Sequence, residues 1–433
     1  MTYRGRHRRR RRGRALRAAL AGTAFALTAV ATLISTSQAT VAGDPGALEP
    51  LTSAADTGPL RLTEDLVPRR SLDRLTASMG DPVGVGTVLA DADHTLGDAD
   101  ECGSGERAAL PVEPEATRAY CWSDDDPRAV RAGAVTTSGD ADVDGRWGAN
   151  RVILSGWSRP AGGTERARVA FVDAGDPDRL AYTWALLVVP VDGGRDYRAL
   201  GSDVSGLVWY EDKLLVTADD GRALYVCDLD RIQRADVDSG AVGRVPGGFA
   251  ADGDRYVLPA VGSYRLTGDE DAARFAAVSL DRSTAPDSLV ASGPVAADDE
   301  RPTGLWRYSF SGDPARAGLL ATTADGTAAV DAAYVTRMTG VRGVLAHRAP
   351  GTVRPRWYLA RASDGRAGHG SLWRQDTDGT RTARCGADGT YLCWSGSAES
   401  LPLSLWEETG EVWSQSGRML FSLPLSTIDG SLE

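Results

Sequence analysis

The stretch Gly206–Arg231, reading GLVWYEDKLLVTADDGRALYVCDLDR, constrains the fold more than any other part of the chain. Three short apolar runs, Leu207–Tyr210, Leu214–Thr217 and Ala223–Leu229, are set apart by turns at Glu211–Lys213 and Asp219-Asp220-Gly221. Gly221 can take a positive φ without steric cost, which suits a tight hairpin. In the third run Leu224 and Val226 face one way and Tyr225 and Cys227 the other, so both faces are apolar. Such a strand is buried between two layers. A meander with two apolar faces needs neighbours on both sides, and radial repetition of the unit supplies them.

The unit recurs. Leu403–Leu425 repeats the aromatic close of the first run, the acidic turn and the Gly turn into a last apolar run. Arg131–Val191 holds four runs: Ala132–Thr137, Val152–Trp157, Ala167–Val172 and Trp184–Val189. A third copy runs from Gly248 through Tyr256–Val261 and Phe275–Leu280 to Leu289–Ala291, and a fourth uses Val341–His347, Trp357–Ala360 and Ser371–Arg374. The pattern predicts an all-β fold, a β-propeller of about five four-stranded antiparallel blades, or six if Gly304–Thr336 forms its own.

The amino terminus reads as a signal peptide over residues 1–39. Arg4–Arg17 holds nine arginines and no acid, Ala18–Ile34 is apolar, and Ser37-Gln38-Ala39 offers small residues at the positions a signal peptidase reads. Cleavage is the expectation, rather than retention as an anchor, because the apolar run is at the short end for a span. Removal of the nine arginines takes the formal charge from −11 to −20. A chain that acidic repels nucleic acid and anionic lipid. The expectations are a secreted, extracellular monomer with no stable membrane span.

Export makes disulfides the natural state of the cysteines. Proximity pairs Cys102 with Cys121 and Cys385 with Cys393, leaving Cys227 as a buried free thiol in mid-strand. Residues 40–78 read as a linker followed by a short helix at Ser71–Ser78, capped by Ser71. The remainder, 79–433, is assigned to the propeller. Val83–Leu89 reads as a strand that could complete the last repeat, which has only three runs, and so close the ring. Residues 91–127 form a polar excursion pinned by the first disulfide.

The combination GVGTVLADAD…ECG, AYCW, GLVWYEDKLLVTADDGRALYVCDL, AVSLDRSTAPDSLV and RWYLARASDG…GSLWR resembles a family of secreted, propeller-like proteins from high-GC bacteria. The likeness spans Leu75 to Pro424. It implies a secreted β-propeller and no activity, since the family offers no catalytic residues to carry over. Where its members tend to have His-Ala-Gly-Gly before the Trp-Tyr strand, this chain has Asp203-Val204-Ser205-Gly206.

No GxSxG elbow occurs, and beyond the signal segment the only histidines are His94, His347 and His369. Nucleophilic catalysis therefore has few bases to use. Calcium is the metal worth weighing: Asp140, Asp142 and Asp144 followed by Gly145 match the opening of a calcium loop, but Arg151 stands where a bidentate Glu is required. Asp91, Asp93, Asp98, Asp100 and Glu101 form a second acidic cluster; either cluster could hold a hard cation, although solvated acidic loops are commoner. Calcium-dependent propeller lactonases use a Glu, Asn and Asp set around the central channel. Asn150 is the only asparagine here and begins a second strand, so that set cannot be assembled in its usual form.

Trp209, Trp373 and Trp406 occupy comparable repeat positions and are expected to pack between blades, rather than to stack on sugars. Loops that lead into first strands and loops that join second to third strands gather on one face of a propeller, where ligands bind. Those loops supply Asp203, Asp219, Arg222, Tyr264, Arg342, His369, Glu399 and Arg418. Asp219 and Arg222 are equally readable as a turn salt bridge. The function expected is a non-enzymatic extracellular module that binds a small polar ligand or an envelope protein. The alternatives are an extracytoplasmic hydrolase or lyase acting on a sugar or lactone, and an envelope scaffold.

Overall fold

Alternating apolar and small residues, bounded by Gly and Asp turns, become strands close to where the pattern places them. The computed structural model describes residues 44–161, 164–268, 273–294, 302–349, 351–352, 355–363, 368–396 and 400–432. With 45% strand and 12% helix, the chain is a β protein. Gly46–Glu433 forms a unit of its own. Residues 1–39, expected to be a signal peptide, and Glu399 lie outside the described residues.

Five antiparallel groups of strands follow one another. Arg131–Thr137, Val152–Ala161, Thr164–Asp173 and Ala181–Val191 pair in order, and Asp196–Ala199 adds to the last. Leu207–Tyr210, Lys213–Ala218 and Ala223–Asp228 form the second group, completed by the later half of the long strand Tyr256–Leu266. The earlier half of that strand runs parallel to Ala181–Val191, which welds the first two groups into one thirteen-stranded sheet. Ala277–Asp281, Ser288–Pro294, Thr303–Ser309 and Ala332–Thr336 make the third. Val341–His347, Arg356–Arg361, Ser371–Gln375 and Thr380–Thr382 make the fourth. Ser404–Trp406, Glu411–Ser416 and Met419–Pro424 begin the fifth.

The lead strands of these groups lie side by side. Arg131–Thr137 touches both Leu207–Tyr210 and Ser404–Trp406, Leu207–Tyr210 touches Ala277–Asp281, and Ala277–Asp281 touches Val341–His347. The fourth group meets the fifth where the Leu401 N–H donates to the Arg342 carbonyl over 3.2 Å. Apolar clusters fill the spaces between sheets. Trp209, Trp373 and Trp406, at 0, 6 and 2% exposure, belong to them and cannot stack on a ligand from solvent.

The fifth group is completed from the amino-terminal side, but not by Val83–Leu89. Arg118–Cys121 pairs with Met419–Pro424, and Gly97–Asp98 pairs with Arg118–Cys121. Val85–Ala90 is instead a helix, its Val85, Val88 and Leu89 buried together. Apolar residues at i, i+3 and i+4 fit a helix as well as a strand in so short a run, and here tertiary packing chose. Residues 91–127 are therefore no excursion, since they supply two strands of a sheet.

The 40–78 linker needs the same correction. Glu49–Pro50 joins the third group and Leu62–Leu66 pairs with the edge of Tyr256–Leu266. The helix after it spans Arg69–Met79, with Pro68 rather than Ser71 at its cap and Leu72, Leu75 and Met79 buried. Tyr256–Val261 does not begin a third copy, since Tyr256–Pro259 pairs with the last strand of the first group and Ala260 with the second, and Thr303–Ser309 and Ala332–Thr336 lie in the same sheet as Ala277–Pro294 rather than in a sixth. Cys102–Cys121 and Cys385–Cys393 are disulfides, and Cys227 is a buried free thiol.

Candidate functional site

The starts of all five lead strands converge on one cavity of about 520 Å³. Arg131–Gly133, Asp203–Ser205, Phe275–Ala276, Arg342 and Ser400 each contribute one wall, with Asp220 and Gly221 from a second-to-third turn. The closeness of the strands here depends on glycine. A Cβ on Gly133 would lie 1.5 Å from the Val204 carbonyl oxygen, and one on Gly343 would lie 1.8 Å from that of Leu401. Only a residue without a side chain lets the next chain segment pass so close.

Both places are also β-bulges. Pairing skips Gly133 between Ala132 and Ala134, and skips Arg342 between Val341 and Gly343. A bulge adds one unpaired residue and re-aims the side chains around it. At the fourth strand the extra residue is Arg342, which lines the cavity.

The charges of the cavity are unequally satisfied. Arg131 donates to Asp203 over 2.7 Å and lies 3.3 Å from Glu165. Arg342 differs: its Nε is buried without a hydrogen-bond partner, and no hydrogen bond or ion pair engages its guanidinium among the described residues. The hydroxyls are already occupied. Ser158 Oγ accepts from the Val204 N–H over 2.9 Å, Ser205 Oγ lies 3.0 Å from Thr217 Oγ1, and Ser400 Oγ donates to the Gly133 carbonyl.

Of the residues expected on this face, the structure brings Asp203 and Arg342 together. Asp219 is turned aside to accept from Arg265 over 2.7 Å, next to Asp220, which does line the cavity. Arg222 donates to the carbonyls of Gly268 and Ala273 rather than to Asp219, so the turn salt bridge is not formed. Tyr264 is in mid-strand and fully buried, its hydroxyl donating to Glu64 over 2.8 Å and accepting from the Leu320 N–H. His369 Nε2 lies 3.1 Å from the Leu110 carbonyl oxygen. Arg418 donates to the carbonyls of Trp122 and Ala129 and pairs with Asp124 at 3.1 Å. Both tie down the amino-terminal segment. Arg131, Gly133, Asp220 and Ser400 were missed, although an Arg near a Gly opens both the first and fourth lead strands.

The calcium loop is not formed. Asp140 lies on the short helix Ser138–Ala141 and is 4% exposed, accepting from Thr136 Oγ1 at 2.6 Å and Ser404 Oγ at 2.8 Å. Burial pushes its carboxyl up to about 6, against the pull of those two hydroxyls and of Arg282. Asp142 and Asp144 are exposed and accept from backbone N–H groups two residues on. Among the described residues, the set whose carboxylates approach within 4.8 Å of one another is Asp212, Asp228 and Asp230. Lys213 contacts Asp212 and lies 3.4 Å from Asp228, so an internal cation already serves that cluster.

A second polar region surrounds the outer strand of the first group. Asp254, with its side chain 0% exposed, accepts from Arg128 and Arg168 at 2.7 Å each, and Asp252 is contacted by Arg159, Arg166 and Arg168. Asp126 accepts from Tyr182 and Trp184 and lies 3.7 Å from His94. A cavity of about 510 Å³ opens beside His94 and Arg128. The buried carboxylates of this region are met by arginines, although Arg159 Nε and Arg168 Nη1 are buried without a partner. Comparison with protein families and with curated proteins finds no match to this chain.

Proposed function

We propose that the chain is a secreted, five-bladed β-propeller and a non-enzymatic binding module, taking a small polar ligand where its lead strands begin. The observation that carries this is the convergence of five successive strand starts on a single cavity, with Arg342 left uncommitted inside it. In this reading the five groups of strands are the blades, and Arg118–Cys121 closes the ring by joining the last blade to the start of the first. Radial closure removes the sheet edges that would otherwise invite aggregation. The arginine-rich apolar leader and two disulfides support an extracellular setting.

Binding is preferred over catalysis because the hydroxyls of the cavity are engaged in structural hydrogen bonds, and no histidine lines it among the described residues. A hydrolase would need a nucleophile and a base within reach of one another. Ala276→Trp tests the location by filling the cavity. Thermal unfolding of the mature protein against a panel of sugars, sugar acids and cell-wall fragments should reveal a compound that raises the midpoint. A ligand at a hundred times its dissociation constant adds about 2.7 kcal/mol. The rise should vanish in Ala276→Trp; a rise that persists there, or none for any compound, refutes the assignment.

A further inference from the structure

Building on the binding reading above, we infer that the ligand is a small carboxylate and that Arg342 is the group that holds its anionic end. Three independent features of the chain converge on this. The β-bulge at Arg342 breaks the pairing of the fourth lead strand at the one residue whose side chain carries an uncommitted positive charge into the cavity. Its guanidinium has no partner among the described residues and its Nε is buried, so a donor sits out of water with nothing to receive it. Leaving a buried charged donor unpaired is costly, and an arriving acceptor recovers that cost. The other cation of the cavity, Arg131, is already neutralised by Asp203 and Glu165.

The chemistry of the walls narrows the class. A planar guanidinium presents parallel N–H donors that match a carboxylate in a bidentate fork. Asp220, also in the wall and exposed, would accept from hydroxyl or ammonium groups on the same ligand. A polyhydroxylated or amino-substituted carboxylate satisfies both ends. A neutral sugar of the same size satisfies only one. The cavity, at about 520 Å³, is in the range that encloses a small molecule.

Glucuronate and glucose share a ring and differ in the carboxylate, so they serve as probes, measured by calorimetric titration on wild type, Arg342→Gln, Arg342→Lys and Ala276→Trp. Glucuronate should bind at least about tenfold more tightly than glucose, Arg342→Gln should lose about that factor, and Arg342→Lys should recover part of it, keeping the charge without the fork. Unchanged unfolding midpoints in the Arg342 variants would show that the loss is local. Equal binding of both probes, blocked by Ala276→Trp but not by Arg342→Gln, overturns the carboxylate inference and leaves the binding module standing. If neither probe binds, or Ala276→Trp leaves binding unchanged, the inference fails together with the location it rests on.

Discussion

Replacing Asp140 by Asn should stabilise the protein at neutral pH and leave it unchanged in acid. The carboxyl is 4% exposed and receives two hydroxyl donors, from Thr136 and Ser404, on the same oxygen. Burial raises its folded-state pKa from the ordinary 3.8 to about 6. A carboxyl whose folded pKa exceeds its unfolded value favours folding fully below the unfolded value, and that contribution is lost as pH rises through the folded one. The interval corresponds to about 3 kcal/mol at 1.36 kcal/mol per pKa unit. Asn keeps the size and the accepting oxygen but never ionises. Urea unfolding at pH 4, 5, 6, 7 and 8 should therefore give a difference near zero at pH 4 that grows to about 3 kcal/mol in favour of the variant by pH 7. With roughly 2.1 cal/mol/K per residue over roughly 390 residues, the midpoint rises by about 4 °C. Other carboxylates, Asp91 and Asp252 among those with lowered values, weaken both proteins in acid and cancel in the difference. A difference independent of pH, or a variant weaker at pH 7, would show that the ionised form is the native one and refute the reasoning.

The ion network beside the first group predicts the opposite behaviour. Asp254→Ala leaves Arg128 and Arg168 without their shared acceptor, and Arg168 is 1% exposed, so the loss should be about 3–5 kcal/mol in urea unfolding at pH 7; a loss under about 1 kcal/mol would mean Asp252 alone compensates the pair. Cys102→Ser with Cys121→Ser opens a loop whose cysteines are 19 residues apart, and should cost about 3 kcal/mol on the chain-entropy model. Because Cys121 belongs to the strand that pairs with Met419–Pro424, the same variant should speed hydrogen exchange in that last strand, and unchanged exchange there would deny the disulfide a role in closure.

How much of this was legible in the sequence depended on the length scale of each signal. The meander Leu207–Tyr210, Lys213–Ala218, Ala223–Asp228 stands within a residue or so of its apolar runs, because hairpins with Asp-Gly turns are local objects. The strand Tyr256–Leu266 is different: its two halves serve two partners, one parallel and one antiparallel, and nothing in its own residues announces that division. A single copy running from Gly248 through Tyr256–Val261 to Phe275–Leu280 therefore joins strands of two different sheets. Val83–Leu89 failed for another reason. Seven residues with apolar positions three and four apart satisfy both periods, and the burial of Val85, Val88 and Leu89 decided for the helix.

The cavity was half legible, and the missing half has a definite cause. Asp203 and Arg342 could be placed because each leads a repeat, and repeats fix which loops share a face. Tyr264 was misplaced because the second group's fourth strand runs to Leu266, five residues past the expected end, so a presumed loop residue became a core residue donating to Glu64. What sets Arg342 apart from the other described arginines is not its type but a skipped pair in the ladder. Bulges are properties of two strands in register, and a single strand's sequence carries them only as a Gly beside a polar residue in an otherwise apolar run. Arg131-Ala132-Gly133 and Arg342-Gly343 both show that pattern. The first arginine is met by Asp203 and the second by no partner among the described residues, so two similar signals diverge into a structural ion pair and a donor with a buried, unpaired Nε.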